Sequence, residues 1–122
     1  MTDQASIDQL CRNFFELFTN ADGKTPTLQS IYALCIPQAL IIKKEKEGET
    51  VYSLDSFLAP RQKMLFDGTL THFKEWETSE NTFTKGNIGY RYCTYAKSGI
   101  MNGVLFNQTG YKIFQLIKSN GS

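Results

Sequence analysis

Asn87-Ile88-Gly89-Tyr90-Arg91-Tyr92-Cys93-Thr94-Tyr95-Ala96 alternates its side chains with a period of two. Gly89, Arg91, Cys93 and Tyr95 fall on one face, and Ile88, Tyr90, Tyr92 and Thr94 on the other. That alternation, rich in aromatics, predicts a strand. Two further extended runs flank it. Leu70 to Thr84 comes before, joined by a turn at Lys85-Gly86, and Val104 to Lys118 comes after a glycine-containing loop of Lys97 to Gly103. Three consecutive long runs predict an antiparallel meander. Strands of that length in a small domain have to bend, and Gly89 and Gly110 are the expected kink points.

Upstream the period changes. Ile7, Leu10, Cys11, Phe14, Leu17, Phe18 and Ala21 recur at helical spacing, with Ser6 and Gln9 matching a capping box and Gly23 a natural stop. Phe15 falls off that stripe, so a second surface is expected to cover it. Thr25-Pro26 opens a short second helix faced by Leu28, Ile31, Tyr32 and Cys35, which ends near Ile36 because the residue before Pro37 resists helical dihedrals. Ala39 to Lys46 and Thr50 to Tyr52 read as a small hairpin turning at Glu47-Gly48-Glu49. A third helix spans Asp55 to Asp67, closed by Gly68. Pro60 within it marks either a kink or the start of its regular part.

Composition bounds the function. The 122 residues fit one domain, 1–122, able to bury a core without disulfides. A formal net charge of +1 gives no electrostatic case for nucleic acid or an anionic membrane. No apolar run approaches the ~20 residues of a membrane helix, and the N-terminus lacks the pattern of a signal peptide. Cys11, Cys35 and Cys93 are odd in number and far apart, and one histidine is present. Zinc is therefore not expected; the cysteines read as buried, reduced thiols of a cytoplasmic protein. No cofactor is implied.

The order of elements resembles the nuclear transport factor 2-like superfamily, the cone-shaped α+β fold shared with ketosteroid isomerase and polyketide cyclase-like proteins. The resemblance is carried by Tyr52-Ser53-Leu54-Asp55-Ser56-Phe57-Leu58-Ala59-Pro60-Arg61, by Leu65-Phe66-Asp67-Gly68-Thr69-Leu70, and by Gly86 to Tyr95. These stretches are similar to bacterial SnoaL-like proteins of unknown function. The resemblance implies an α+β fold in which three helices of the N-terminal half pack on a strongly curved antiparallel sheet that forms a cone-shaped pocket. It also implies a further strand after Lys118-Ser119-Asn120-Gly121-Ser122. Without one, the strand ending at Lys118 is expected to leave an open edge. Either a longer natural chain or a partner is then expected to cover that edge.

Several residues are candidates for a site. Arg61 lies on the apolar stripe of the third helix, either as an anion-binding group at a pocket mouth or as an internal pair or snorkelling side chain. Arg91 reads either as a pocket cation or as a partner of Glu75, Glu77 or Glu80 on the neighbouring strand. Tyr32, Trp76 and Tyr95, with Tyr90, Tyr92 and Tyr111, could line a cavity or serve as plain core. Gln115 between Phe114 and Leu116 wants a hydrogen-bond partner. His72 is the one candidate base, against an exposed or structural role. The resemblance also supplies catalytic patterns, and three fail here. Phe14, Phe15 and Phe18 stand where steroid isomerases place a Tyr, and Pro37-Gln38-Ala39 where they place an Asp. The paired histidines of the dehydratases are missing, and Arg91-Tyr92-Cys93 departs from the Arg-x-Asp of the epoxide hydrolases. The leading expectation is a pocket protein binding a small apolar or aromatic molecule, with a carboxylate-bearing one included in that class. The alternatives are a lyase, isomerase or cyclase on such a molecule, and a dimeric interaction module. Homodimerisation through a sheet face is expected from the aromatic excess.

Overall fold

A computed structural model describes residues 2–118. It is an α+β arrangement of three helices, a two-stranded and a three-stranded antiparallel sheet. Helix α1 spans Asp3–Glu16, a 3₁₀ turn Leu28–Ser30 runs into the single-turn α2 (Ile31–Leu34), strands β1 (Leu40–Glu45) and β2 (Gly48–Ser53) form a hairpin, and α3 spans Leu54–Phe66. Strands β3 (Leu70–Lys85), β4 (Ile88–Met101) and β5 (Val104–Ile117) follow in meander order. Among the described residues no helix is long and apolar enough to cross a membrane. The sheet is not closed, and the expected turn after Lys118 falls largely on residues outside those described.

Several boundaries differ from the sequence reading for identifiable reasons. Helix α1 starts at Asp3 rather than Ser6, because the Thr2 side chain accepts the Ala5 N–H at 3.1 Å and caps the earlier turn. It ends at Glu16, yet Leu17, Phe18 and Ala21 remain buried in the turn that follows. Ser53, not Asp55, opens α3 through a reciprocal capping box with Ser56, and Pro60 leaves that helix unbroken. The segment expected as a loop, Lys97 to Gly103, is strand as far as Met101. The turn is only Asn102-Gly103, with φ of 51° and 82°, the positive pair that a tight hairpin demands.

The bends also lie elsewhere than expected. The β4–β5 ladder runs without a register shift from Ile88↔Ile117 to Met101↔Val104, straight through Gly89 and Gly110. Both irregularities are in β3, between Thr71 and Lys74 and between Glu77 and Ser79. The first of these places His72 at φ 54°. Gly99 is needed beside it, since a Cβ there would stand 3.2 Å from both the Phe73 Cα and the Thr71 carbonyl oxygen.

Asn20 holds that bulge. Its Nδ2 donates to the carbonyls of Leu65 (3.2 Å) and Leu70 (2.8 Å), its Oδ1 accepts the Phe73 N–H at 2.7 Å, and its own N–H donates to Phe73 O at 3.0 Å. One side chain thereby ties the end of α1, the end of α3 and the start of β3. The core lies between the helices and the inner sheet face, built from Phe14, Leu17, Phe18, Leu28, Ile31, Leu54, Phe57, Leu58, Leu65, Leu70 and Phe73. Phe15 is 3% exposed and meets Tyr95 and Phe114, which is the second surface its off-stripe position predicted.

The two faces of β4 and β5 differ in chemistry. Arg91, Lys97 and Lys112 share the parity of buried Cys93 and Gly99 and face inward, toward the helices. The seven opposed pairs of the other parity are Ile88/Ile117, Tyr90/Gln115, Tyr92/Ile113, Thr94/Tyr111, Ala96/Thr109, Ser98/Asn107 and Ile100/Leu105, none of them charged.

Candidate functional site

Arg91 is the most enclosed charge, 3% exposed. Its fork is filled by the protein itself. Nε donates to Glu77 Oε2 at 2.9 Å and Nη2 to Glu77 Oε1, a bidentate pair. Nη1 donates to Asp8 Oδ1 at 2.6 Å and Thr82 Oγ1 at 3.2 Å, with Glu80 Oε2 at 3.7 Å. The hydrogen bonds it donates to Glu77, ahead of the opposing cost of burial, hold the guanidinium pKa above its usual value. The Arg91 bond chiefly draws the Asp8 carboxyl below the usual carboxylate range. Four of the five guanidinium N–H groups of Arg91 are donated within the protein, so the sheet-pairing alternative describes it. Asp8 was not legible as a partner, although it stands three and seven residues before Cys11 and Phe15 on the second stripe of α1.

Cys11 and Cys93, both 0% exposed, lie in the same layer, and burial pushes each thiol up to about 12. They are inert packing groups in this state.

Further along the inner face lies a second charged group. Glu75 faces Lys97 across the β3–β4 ladder, and Lys97 faces Gln108 across β4–β5. The Glu75 side chain is 8% exposed, and its Oε2 lies 3.4 Å from Lys112 Nζ. That ammonium sits 4.9 Å from the Tyr95 ring centroid and 5.5 Å from that of Phe15. Tyr95 lies over Gly110, where a Cβ would come within 2.6 Å of its hydroxyl oxygen. From α3, the Arg61 guanidinium rests 3.6 Å from the Phe57 ring centroid and 5.6 Å from that of Tyr52, with Nη1 donating to Phe57 O at 3.0 Å. Burial lowers the pKa of Arg61 and, most strongly among its influences, that of Lys97. Lys97 was read as a loop residue, which hid its place on the inner face.

The remaining candidates are dispersed. Tyr32 is half exposed and its hydroxyl donates to the Asp55 carboxylate, which raises the phenol pKa. Trp76 is also partly exposed, with Lys74 Nζ 5.3 Å from its ring. Gln115 lies on the outer face opposite Tyr90. His72 is exposed on its bulge. The structure thus brings Tyr95 together with the unforeseen Lys112, sets Lys97 across the ladder from their neighbour Glu75 and lets Arg61 exert a charge on Lys97, and it leaves Tyr32, Gln115 and His72 apart from them.

Two shallow cavities open at the margins of α1. One of about 290 Å³ lies against β3 and is lined by Asp8, Arg12, Phe15, Glu16, Glu75, Trp76, Glu77 and Arg91. The other, about 140 Å³ and mostly apolar, lies between α1 and the β4–β5 end, bounded by Ile7, Leu10, Ile88, Leu116 and Ile117. A comparison with models of known protein families finds no match, and none of the curated proteins compared matches the chain.

Proposed function

We propose that this protein is an association module whose outer sheet face docks on a second copy of itself. The observation that carries the reading is the absence of charge from all seven outward pairs of β4 and β5, combined with their apolar exposure. Phe83, Ile88, Tyr90, Tyr92, Tyr111, Ile113 and Ile117 are between 39 and 70% exposed. Together they present of order 800 Å² of apolar surface, the amount each partner contributes to a standard interface. Stacked rings, Phe83 on Tyr90 at 5.2 Å and Tyr92 on Tyr111 at 5.9 Å, make the surface rigid before docking. The β4–β5 part of this face meets its own copy without like-charge repulsion, the outward charges Lys74 and Lys85 lying on β3, which favours a symmetric, isologous pairing through β4 and β5. Light scattering should give twice the chain mass at micromolar concentration, and Tyr92→Glu with Tyr111→Glu should give a folded monomer. A wild-type monomer at that concentration refutes the reading.

The order of helices and strands supports the nuclear transport factor 2-like resemblance, in which the inner face and the helices enclose a pocket. A second reading, small-molecule binding on that inner face, is favoured by the surplus of cations around Glu75. Arg61, Lys97 and Lys112 stand against that single carboxylate. A lyase or isomerase reading has only His72 as base, and its exposed position gives that reading no support. Ligand-induced thermal stabilisation tests the second reading.

A further inference from the structure

We infer that the inner face carries a carboxylate-binding site formed by Lys97, Lys112 and Arg61 beside Tyr95, and that its ligand is an organic monocarboxylate with an apolar body. The inference rests on the small-molecule reading and assigns that reading its ligand chemistry and its residues. It begins from compensation. Lys112 has Glu75 at 3.4 Å, and Arg61 has the Phe57 carbonyl and two aromatic rings. Lys97 is half-buried, yet among the described residues it makes no hydrogen bond or ion pair. Burial opposes its charge. Of its charged neighbours Glu75 supports it, whereas Lys112, Lys43 and Arg61 oppose it. An ammonium partly withdrawn from water needs an opposite charge, and the protein supplies only a share of one.

Three cations against the one Glu75 carboxylate leave a surplus of two positive charges, and one carboxylate answers Lys97, the member with neither a hydrogen bond nor an ion pair. The donors left over suit a carboxylate. Lys97 offers three N–H groups, Arg61 keeps guanidinium N–H groups beyond those engaged by the Phe57 carbonyl and Tyr52, and the Tyr95 hydroxyl has no partner among the described residues. The walls suit an apolar body. Phe106 lies on the inner face next to Gln108, which opposes Lys97, and Tyr52 lies beneath Arg61; both are only partly buried. A small inorganic anion would leave that surface wet.

The test is a titration of the ¹⁵N-labelled protein with sodium phenylacetate, followed by amide shifts, with benzyl alcohol and sodium phosphate as parallel probes. Saturable shifts at Glu75, Lys97, Gln108 and Lys112 are expected from phenylacetate alone. Lys97→Met should weaken binding by about tenfold, the worth of one charge-assisted hydrogen bond, and Lys97→Arg should retain it. The amide spectrum of each variant reports whether it has folded. Saturable benzyl alcohol binding that ignores Lys97→Met leaves the small-molecule reading standing and overturns the carboxylate assignment. Equal response to phosphate overturns the organic ligand, and no saturable shift from any probe overturns both readings.

Discussion

Replacing Arg91 by Met tests the description of that residue as an internal pairing hub. The variant keeps most of the buried volume and removes the charge, so the cavity contribution is small. Glu77 then loses both arms of a bidentate pair, and its side chain is only 20% exposed. Removing one partner of a buried pair costs about 3–5 kcal/mol, because the other charge stays buried. The low end applies here, since Glu77 keeps some contact with water. Asp8 and Glu80, at 38 and 34% exposure, add less than about 1 kcal/mol each. The expected loss is about 3 kcal/mol, or about 10 °C in Tm for a chain of this length. Urea unfolding followed by far-UV circular dichroism measures it, at one fixed protein concentration because association would itself stabilise the fold. Changing Glu77 to Gln in the same chain should recover part of the loss. The pH dependence has a definite sign. The Arg91 bond lowers the folded-state pKa of Asp8, so its contribution is present above the unfolded value of about 3.9 and is lost as pH falls through the lower folded value. The gap between wild type and Arg91→Met should therefore be full at neutral pH and narrow in acid. A loss under about 1 kcal/mol at pH 7 refutes the buried-pair argument.

Asn20→Ala removes three side-chain hydrogen bonds and leaves the Leu70 carbonyl and Phe73 N–H short of partners, so it should cost about 2–4 kcal/mol in the same assay; a near-neutral result would mean water replaces the amide. Cys11 and Cys93, with thiols pushed up to about 12 by burial, should resist iodoacetamide at pH 8 until the protein unfolds. Modification of the native protein at either position, read by peptide mass, contradicts their placement. Gly110→Ala should displace the Tyr95 ring, seen as altered Tyr95 and Lys112 resonances, since the new Cβ would meet its hydroxyl at 2.6 Å. The Asp67 carboxyl, held at about 2 chiefly by hydrogen bonding to Thr69, should titrate near that value by NMR; an ordinary midpoint would remove the Asp67–Thr69 turn from the description.

The periodic elements were legible because local spacing carries them. The α1 stripe, the face sharing of Gly89, Arg91, Cys93 and Tyr95, and the stop before Pro37 all follow from residues within a few positions of one another. Long-range contacts were not legible. Asn20 joins residues 45 to 53 positions away, and Asp8 meets Arg91 at a separation of 83. The Lys97–Gly103 segment misled because Gly99 signals a loop in isolation. In the folded sheet that glycine is what lets the β3 bulge approach, so tertiary packing overrides the local preference. Asn102-Gly103 carried the true turn signal. With the strand cut short, Lys97 had no face, and the inner charged group lost one of its members.

Strands β4 and β5 invert the usual distribution of side chains. Every charge on β4 and β5 points inward and the outward pairs are neutral, whereas a free-standing sheet normally turns its polar side to water. Each side of this inversion demands its own compensation. Inside, Asp8, Glu77 and Glu80 surround Arg91 and satisfy it, while Glu75 serves Lys112 and leaves Lys97 short. Outside, the apolar pairs have no helix over them among the described residues, because α1 and α3 are committed to the inner core. A monomer that bound nothing would bear both costs at once. An organic carboxylate would relieve the inner cost without touching the outer face, and a second copy would relieve the outer one without reaching Lys97. The two readings are therefore separable in one protein. Tyr92→Glu with Tyr111→Glu should abolish dimerisation and leave phenylacetate binding intact, and Lys97→Met should do the reverse. Loss of both properties in either variant would mean the faces are coupled through β4, against the independence that their opposite parity implies.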